Sequence, residues 1–182
     1  MIAAGYMAKV VTPKPDWIKS GTAVRICSVS NCVSDDFCDY INHWKHNGYW
    51  FFNSPQDIQA VAESDPTAAK ERELFYYELY EQQFDDNTAT WVSFEPEASF
   101  RTEVVVPQHK NLLGFDVVTY FVQTSPECSP LSCNNFAEKI EVNENCLLPS
   151  LEGAKRLVES GGFANSEPGP FRIIAVYRPG AA

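Results

Sequence analysis

The chain has 182 residues, of which 45% are hydrophobic and 21% are charged, and its formal net charge at pH 7 is −10. This composition is typical of a folded globular domain and excludes a disordered chain. No apolar run approaches the roughly 20 residues that a membrane-spanning helix needs, so no membrane partner is predicted. The length favours a single domain, residues 1–182.

The N-terminal residues lack the basic start and the apolar segment of a signal peptide, so the sequence predicts a cytoplasmic protein. Because Met7 would serve as a start as well as Met1, residues 1–6 are interpreted as an extension outside the fold. Residues 10–16 are predicted to be extended, since each proline biases the residue before it away from helix. Residues 23–29 have the alternation of a first strand.

Two helices and a strand are predicted next. Asp35 begins a helix that runs through Trp44, because a carboxylate is favoured at the positive N-terminal end. Ser54 and Pro55 begin the second helix as N-cap and first helical residue. Residues 74–84 fit one face of either a strand or a helix, and their aromatic composition favours the strand.

The remaining strands are predicted from β-branched and aromatic composition. Residues 90–94 and 99–106 are expected to pair across a short turn. The longest strand covers 112–122, where no proline interrupts the run. A short helix is predicted at 134–140 and a last strand at 171–177.

A helix from Ser150 to Gly161 has a fainter copy 96 residues earlier, where Ser54 begins the other capped helix. Apolar positions keep their register from each helix into the following strand, which predicts two related halves, 22–84 and 112–178. The alternative is that any capped helix followed by a strand produces such a match. Together the elements predict an α+β fold with one mixed, mainly antiparallel sheet and three to four short helices.

Six cysteines fall into two groups of three, Cys27, Cys32 and Cys38, and Cys128, Cys133 and Cys146. In a cytoplasmic protein, reduced and mostly buried thiols are favoured over disulfides. A zinc site is the alternative, with Cys38, His43 and His46 on one predicted helix, but both short cysteine intervals hold four residues and no paired cysteine knuckle is recognisable. The sequence therefore predicts no metal and no cofactor.

Cys133, followed by Asn134, is the candidate catalytic residue. At the start of a short helix its thiolate would be stabilised by backbone amides, and the cysteine could act as a nucleophile. It would need a base such as His109, but no histidine lies in a recognisable catalytic context. A buried cysteine with a turn-forming asparagine is the favoured interpretation.

Residues 51–100 carry eleven acidic and two basic side chains, a net charge of −9. Such a segment repels a phosphate backbone, so no nucleic-acid partner is predicted. Tyrosines lie among these charges and could anchor a basic protein partner. The predicted binding residues are Tyr76, Glu78, Tyr80, Glu81, Asp85 and Asp86.

These features favour a non-catalytic protein-binding module, such as an inhibitor or an immunity-like protein, whose partner is a basic protein. The alternative is a small enzyme or small-molecule-binding protein with a pocket near Cys133 and Asn134. An exposed acidic and aromatic patch would favour the first hypothesis. A concave site that brings Cys133 within hydrogen-bonding distance of a histidine would favour the second.

Overall fold

A computed structural model describes residues 1–34, 47–63, 71–95, 102–121 and 126–180. These residues form a six-stranded sheet, a two-stranded sheet, two α-helices and one turn of 3-10 helix. The strands are β1 Ile2–Lys9, β2 Thr12–Pro13, β3 Arg25–Ile26, β4 Glu73–Leu79, β5 Gln82–Asp85, β6 Thr90–Ser93, β7 Lys110–Thr119 and β8 Phe171–Pro179. The helices are α1 Pro55–Ala62 and α2 Leu151–Glu159, and the 3-10 turn is Phe136–Glu138.

Strand β8 is the centre of the large sheet. On one side it pairs with β7 along its whole length, and on the other side with β4 and, at Phe171, with β5. β1 and β6 extend the sheet by pairing with β4 and β5. Every pair among the described strands is antiparallel, which confirms the α+β class and the mainly antiparallel sheet.

The apolar residues form two clusters that β8 separates. Because successive side chains of a strand point to opposite faces, Ile174 and Val176 join the first cluster and Ile173 and Ala175 the second. The first cluster contains residues of β1, β4 and α1, and the second contains residues of β7, α2 and the 3-10 turn. The sheet therefore has a substantial core on both of its sides.

Both helices begin at the predicted N-caps. The Ser54 hydroxyl accepts a hydrogen bond from the amide of Asp57 at 3.2 Å, and the Ser150 hydroxyl accepts one from the amide of Gly153 at 3.1 Å. Within the described residues there are two α-helices, and residues 134–140 form only a 3-10 turn, so the prediction of three to four helices is not confirmed. The helix predicted from Asp35 lies outside the described residues.

Three strand predictions need correction. Residues 1–6 are not an extension, because β1 begins at Ile2 and Tyr6 is buried. The run 74–84 is divided between β4 and β5, and both strands pair with β8. β6 pairs with β5 rather than with a strand at 99–106, where the described residues 102–106 carry no strand.

A candidate thiol site

Three cysteines that are distant in the sequence come together beside the end of β7. The Sγ atoms of Cys32, Cys128 and Cys133 all lie within 4.8 Å of one another. Cys128 is buried, Cys133 is half-buried and Cys32 is exposed. We call these three residues the thiol cluster; it is closed on the Cys128 side and open to solvent at Cys32.

The segment that carries Cys128 and Cys133 is fixed to the end of β7. The amide of Thr119 donates a hydrogen bond of 2.9 Å to the carbonyl of Cys128, and the amide of Glu127 returns one of 3.0 Å to Thr119. The chain then turns, and the amide of Cys133 donates to the carbonyl of Ser129 at 2.7 Å. This turn brings the two cysteines of the segment to one side of it.

A buried carboxylate on β7 holds both segments of the thiol cluster. Asp116 accepts hydrogen bonds from the hydroxyl of Ser129 at 2.6 Å, from the amide of Val29 at 2.9 Å and from the hydroxyl of Ser28 at 3.1 Å. Burial raises the pKa of Asp116, and the hydrogen bond from Ser129 opposes this only in part. Asp116 thus ties the segment before Cys32 to the segment of Cys128.

A buried lysine holds the turn that leads to Cys32. The Nζ of Lys9 donates to the carbonyls of Val29 and Ser30 at 2.7 and 3.0 Å and to the Oδ1 of Asn31 at 3.3 Å. Only 1% of Lys9 is exposed. Its positive charge also lowers the pKa of Cys32.

Shared hydrogen bonds make the three thiols unequal. Hydrogen bonds with Cys128 and Cys133 stabilise the thiolate of Cys32. They lower the pKa of Cys32 far below its ordinary value. Hydrogen bonding with Cys133 and Cys32 in turn favours the protonated form of Cys128 and raises its pKa. A hydrogen bond with Cys128 lowers the pKa of Cys133, but the bond to Cys32 and burial outweigh it and raise that pKa to about 11.

The lowered pKa of Cys32 and the raised pKa values of the other two favour a cluster with one thiolate, on Cys32, beside two thiols. The hydroxyl of Ser30 lies 3.2 Å from the Sγ of Cys133 and adds a further polar contact. Thiolate sulfur is both the nucleophilic and the metal-binding form of cysteine. The cluster can accordingly bind a thiophilic metal ion or react with an electrophile.

The spacing of the sulfurs suits one metal ion. Zinc–sulfur bonds of about 2.3 Å in tetrahedral geometry bring bound sulfurs to roughly 3.8 Å from one another. The three sulfurs need only move slightly closer from separations of at most 4.8 Å. Three protein ligands and one open position are the pattern of a zinc site that admits a further ligand.

The predicted site residues other than Cys133 lie in different surroundings. The Oδ1 of Asn134 accepts a weak hydrogen bond from the Sγ of Cys128 at 3.6 Å, so Asn134 borders the cluster. His109 precedes β7 at its opposite end, roughly 30 Å along a ten-residue strand, and cannot act as a base for Cys133. His43 and His46 lie outside the described residues.

His109 lines a separate cleft of about 970 Å³. Tyr6, Leu74 and Val105 contribute apolar surface to it, and Arg178 contributes a charge. The guanidinium of Arg178 is already paired with the carboxylate of a neighbouring wall residue, Glu73. The cleft is therefore large, but the charge of its arginine is already balanced by a carboxylate.

Two of the predicted protein-binding residues take part in contacts inside the fold. Tyr76 is buried, and its hydroxyl donates to Glu78 at 3.2 Å. Burial alone would raise the pKa of Glu78, but hydrogen bonds from Lys110 and from the hydroxyl of Tyr177 outweigh it and lower that pKa. The charge of Glu78 is thus compensated within the molecule.

The other predicted binding residues are closer to solvent. Tyr80 is half-buried, packs edge-on against Trp91 with ring centres 5.2 Å apart and accepts a hydrogen bond from Lys155 at 3.1 Å. Glu81 and Asp86 are exposed and Asp85 is half-buried. Binding of a partner by this group stays a prediction.

Sequence reasoning found Cys133 but missed the residues that surround it. Cys32 is 101 positions away, and no local pattern links the two cysteines. Asp116 did leave a signal, because it is the one charged residue within an otherwise apolar predicted strand. Buried charges are rare unless they are paired or hydrogen-bonded, so such a position marks a specific polar contact.

Searches against protein-family models, curated proteins and solved structures gave no match for this chain. Within the described residues, no helix has the length and apolar character needed to cross a membrane.

Proposed function

We propose that the protein binds a thiophilic metal ion of the Zn²⁺ type through Cys32, Cys128 and Cys133. This develops the hypothesis of a ligand-binding protein with its site near Cys133 and Asn134, and it revises the expectation that no metal is bound. The observation that carries the proposal is the approach of three sulfurs within 4.8 Å, with one of them exposed. Soft thiolate ligands select such ions over hard cations like Mg²⁺.

The unequal thiols suggest how an ion enters. Cys32 is exposed and deprotonated at neutral pH, so it makes the first bond. Cys133 and Cys128 then lose their protons to solvent and complete three-sulfur coordination. Solvent or a small ligand takes the fourth position on the open side, which suits reversible uptake of the ion rather than a closed structural site.

Titration of the reduced protein with Cd²⁺ tests the proposal, because thiolate-to-cadmium charge transfer is visible in the ultraviolet. One Cd²⁺ per chain is expected, and Cys32→Ser, Cys128→Ser or Cys133→Ser should each weaken binding by 10-fold or more, on the order of the loss of one ligand. Cys27→Ser is the matched control, since Cys27 is a buried thiol whose pKa burial raises to about 11. Equal binding by the Cys32→Ser and Cys27→Ser variants would refute the proposal.

A protein-binding module that attracts a basic partner remains the second candidate. The exposed carboxylate of Glu81 favours it most; Asp86 is exposed too but accepts a hydrogen bond of 3.0 Å from the amide of Gly169, and Tyr76 and Glu78 make contacts inside the fold. Neutralising Glu81 and Asp86 together should slow association with such a partner and flatten its salt dependence. Unchanged association in that variant would leave the acidic segment with a role in solubility alone.

We also infer that β1–α1–β4 and β7–α2–β8 are two copies of one unit. The side-chain oxygen of Asn47 accepts from the amides of Tyr49 and Phe51, and its nitrogen donates to the carbonyl of Ala4 on β1. Asn143 repeats this pattern with the amides of the residues two and four positions later and with a carbonyl on β7. The shared offset of 96 residues matches that of the two capped helices.

The strands before the two asparagines are alike as well. Gly5 on β1 and Gly114 on β7 both have positive φ at an irregularity of pairing. The residues that follow them, Tyr6 and Phe115, each form an antiparallel bridge to a residue five positions after the asparagine. The first copy accordingly starts at β1 rather than at residue 22.

The duplication has a consequence for the thiol cluster. Cys32 lies in the connection between β1 and Asn47, and Cys128 and Cys133 lie in the equivalent connection between β7 and Asn143. The cluster is therefore formed where equivalent connections of the two copies meet. Ligand sites in many proteins lie between structural units in this way.

A further inference from the structure

The thiol cluster combines an accessible sulfur with two further sulfurs beside it. Cys32 is exposed, so a small oxidant reaches its sulfur from solvent. The sulfurs of Cys128 and Cys133 lie within 4.8 Å of it, although the three residues come from distant parts of the chain. An accessible cysteine next to a second thiol that can resolve its oxidised form is the usual arrangement of a reversible redox site.

Ser30 connects Cys32 to Cys133 rather than to Cys128. The Ser30 hydroxyl oxygen accepts a hydrogen bond of 3.1 Å from the amide of Cys32 and lies 3.2 Å from the Sγ of Cys133. The Sγ of Cys128 instead donates to the Oδ1 of Asn134 at 3.6 Å, and Cys128 is buried, whereas Cys133 is only half-buried. Of the two neighbouring thiols, Cys133 is therefore the better placed to react with Cys32.

We infer that a hydroperoxide oxidises Cys32 and that a disulfide between Cys32 and Cys133 follows. The sulfur of Cys32, as thiolate, attacks the terminal oxygen of the hydroperoxide. An S–O bond forms as the O–O bond breaks, and the leaving oxygen takes a proton from solvent to give water or an alcohol.

The second step consumes the sulfenic acid of Cys32. The sulfur of Cys133 attacks the Cys32 sulfur, so that an S–S bond forms as the S–O bond breaks. The departing hydroxide takes the proton of the Cys133 thiol and leaves as water. Together the two cysteines lose two electrons, and one hydroperoxide molecule gains them.

The disulfide would also regulate metal binding, and this part of the inference rests on the proposed function. It removes two of the three sulfur ligands, so the oxidised protein should bind Cd²⁺ more weakly than the reduced protein by about 10-fold or more. Reduced protein that forms the disulfide but binds no Cd²⁺ would reject the metal proposal alone. Protein that binds Cd²⁺ but forms no disulfide would reject the present inference alone.

Hydrogen peroxide tests the inference on the reduced, metal-free protein in the presence of a chelator. After one equivalent of peroxide, free thiols are blocked with N-ethylmaleimide, and the protein is digested without reductant for mass spectrometry. Two of the six thiols should be lost, and the linked peptides should be those of Cys32 and Cys133. A disulfide that uses Cys128 or any other cysteine, or no disulfide at all, would overturn the inference.

Serine variants separate the two steps. Cys133→Ser should stop the reaction at the sulfenic acid of Cys32, which dimedone then labels, whereas wild-type protein should be labelled only weakly. Cys32→Ser should slow thiol loss by about 10-fold or more, because the accessible sulfur is gone. Cys27→Ser, which changes a buried cysteine outside the cluster, is the matched control and should form the disulfide like wild type. Equal thiol loss in the Cys32→Ser and Cys27→Ser proteins, or a dimedone adduct on another cysteine, would contradict the role of Cys32.

Discussion

At the scale of single residues, the thiol cluster depends on side chains that hold its two segments. Asp116 forms no hydrogen bond with a sulfur of the cluster. It accepts hydrogen bonds from Ser28 and Val29 on one segment and from Ser129 on the other. Lys9 fixes the turn at residues 29–31. The precision of the cluster therefore depends on two buried ionisable side chains that supply no metal ligand themselves.

Replacement of Asp116 should affect both stability and metal affinity. Asp116→Ala leaves three donors unpaired and should lower the free energy of unfolding by about 3 kcal/mol and weaken Cd²⁺ binding. Asp116→Asn keeps one acceptor oxygen for Ser28 and Val29, and its amide nitrogen can donate to the hydroxyl of Ser129, so it should cost less than half as much. Urea denaturation measures the first effect, with the exposed Asp16→Ala as a control expected within about 0.5 kcal/mol of wild type.

The same carboxyl predicts a pH dependence. Because the pKa of Asp116 is higher in the folded than in the unfolded protein, its protonated form stabilises the fold relative to the ionised form. This contribution is complete below the unfolded pKa and is lost as pH rises through the folded pKa. The pH profile of wild-type stability should accordingly differ from that of Asp116→Asn over this interval, and parallel profiles would contradict the raised pKa.

Metal affinity should depend on pH through two protons. Cys32 is already a thiolate at neutral pH, whereas Cys133, with a pKa of about 11, and Cys128 are protonated. Binding then releases about two protons, and the dissociation constant should fall by about 100-fold for each unit of pH between 6 and 8. Cd²⁺ titrations in a non-coordinating buffer measure this slope. A slope of three protons would mean that Cys32 is an ordinary thiol.

At the scale of elements, β7 has a close approach that only glycine permits. Gly114 has a φ of +146°, and a Cβ there would lie 2.7 Å from the Cβ of Leu147 and 2.8 Å from the Nδ2 of Asn143. The absence of a side chain allows the segment 143–148 to pack directly on β7. Strand β7 carries Asp116 two residues later, so this contact also fixes the strand that supports the thiol cluster.

Gly114→Ala should therefore destabilise the protein by about 2–4 kcal/mol, through both the backbone conformation and the steric contact. Gly21→Ala is the control, since a Cβ at Gly21 meets nothing within 4 Å. Thermal or urea unfolding provides the measurement. A Gly114→Ala variant as stable as the control would show that the segment 143–148 is not held as described.

Local chemistry decided which elements the sequence could predict. The helices at Ser54 and Ser150 were predictable because their capping bonds involve residues three positions apart. β1 was not, because its alanine- and glycine-rich sequence has a weak strand preference and its pairing partner β4 is about 70 residues away. The division of 74–84 was missed since no glycine, proline or asparagine marks the break after Leu79.

At the scale of the whole molecule, the candidate site could be predicted only in part. Cys133 and Asn134 stand out locally, but Cys32 joins them through the topology of the sheet, over 101 residues. Spacing rules for metal sites apply to ligands that are close in the sequence. Here Cys32 lies in the connection after β1 and Cys133 in the connection after β7, so no such rule links them. Lys9 gave no signal because the strand that carries it was not recognised.

The central claim is that Cys32, Cys128 and Cys133 hold one metal ion together, and alkylation mapping tests it most directly. The native protein, in a non-thiol reductant, is treated with N-ethylmaleimide with and without one equivalent of Zn²⁺, and each cysteine is followed by mass spectrometry. Zn²⁺ should slow the labelling of Cys32, the exposed and most reactive thiol, by 10-fold or more, and should protect Cys128 and Cys133 with it. Cys27 and Cys146, which are buried and do not belong to the cluster, should label slowly in both samples. Unchanged labelling of Cys32, or protection of Cys32 without Cys128 and Cys133, would contradict the account.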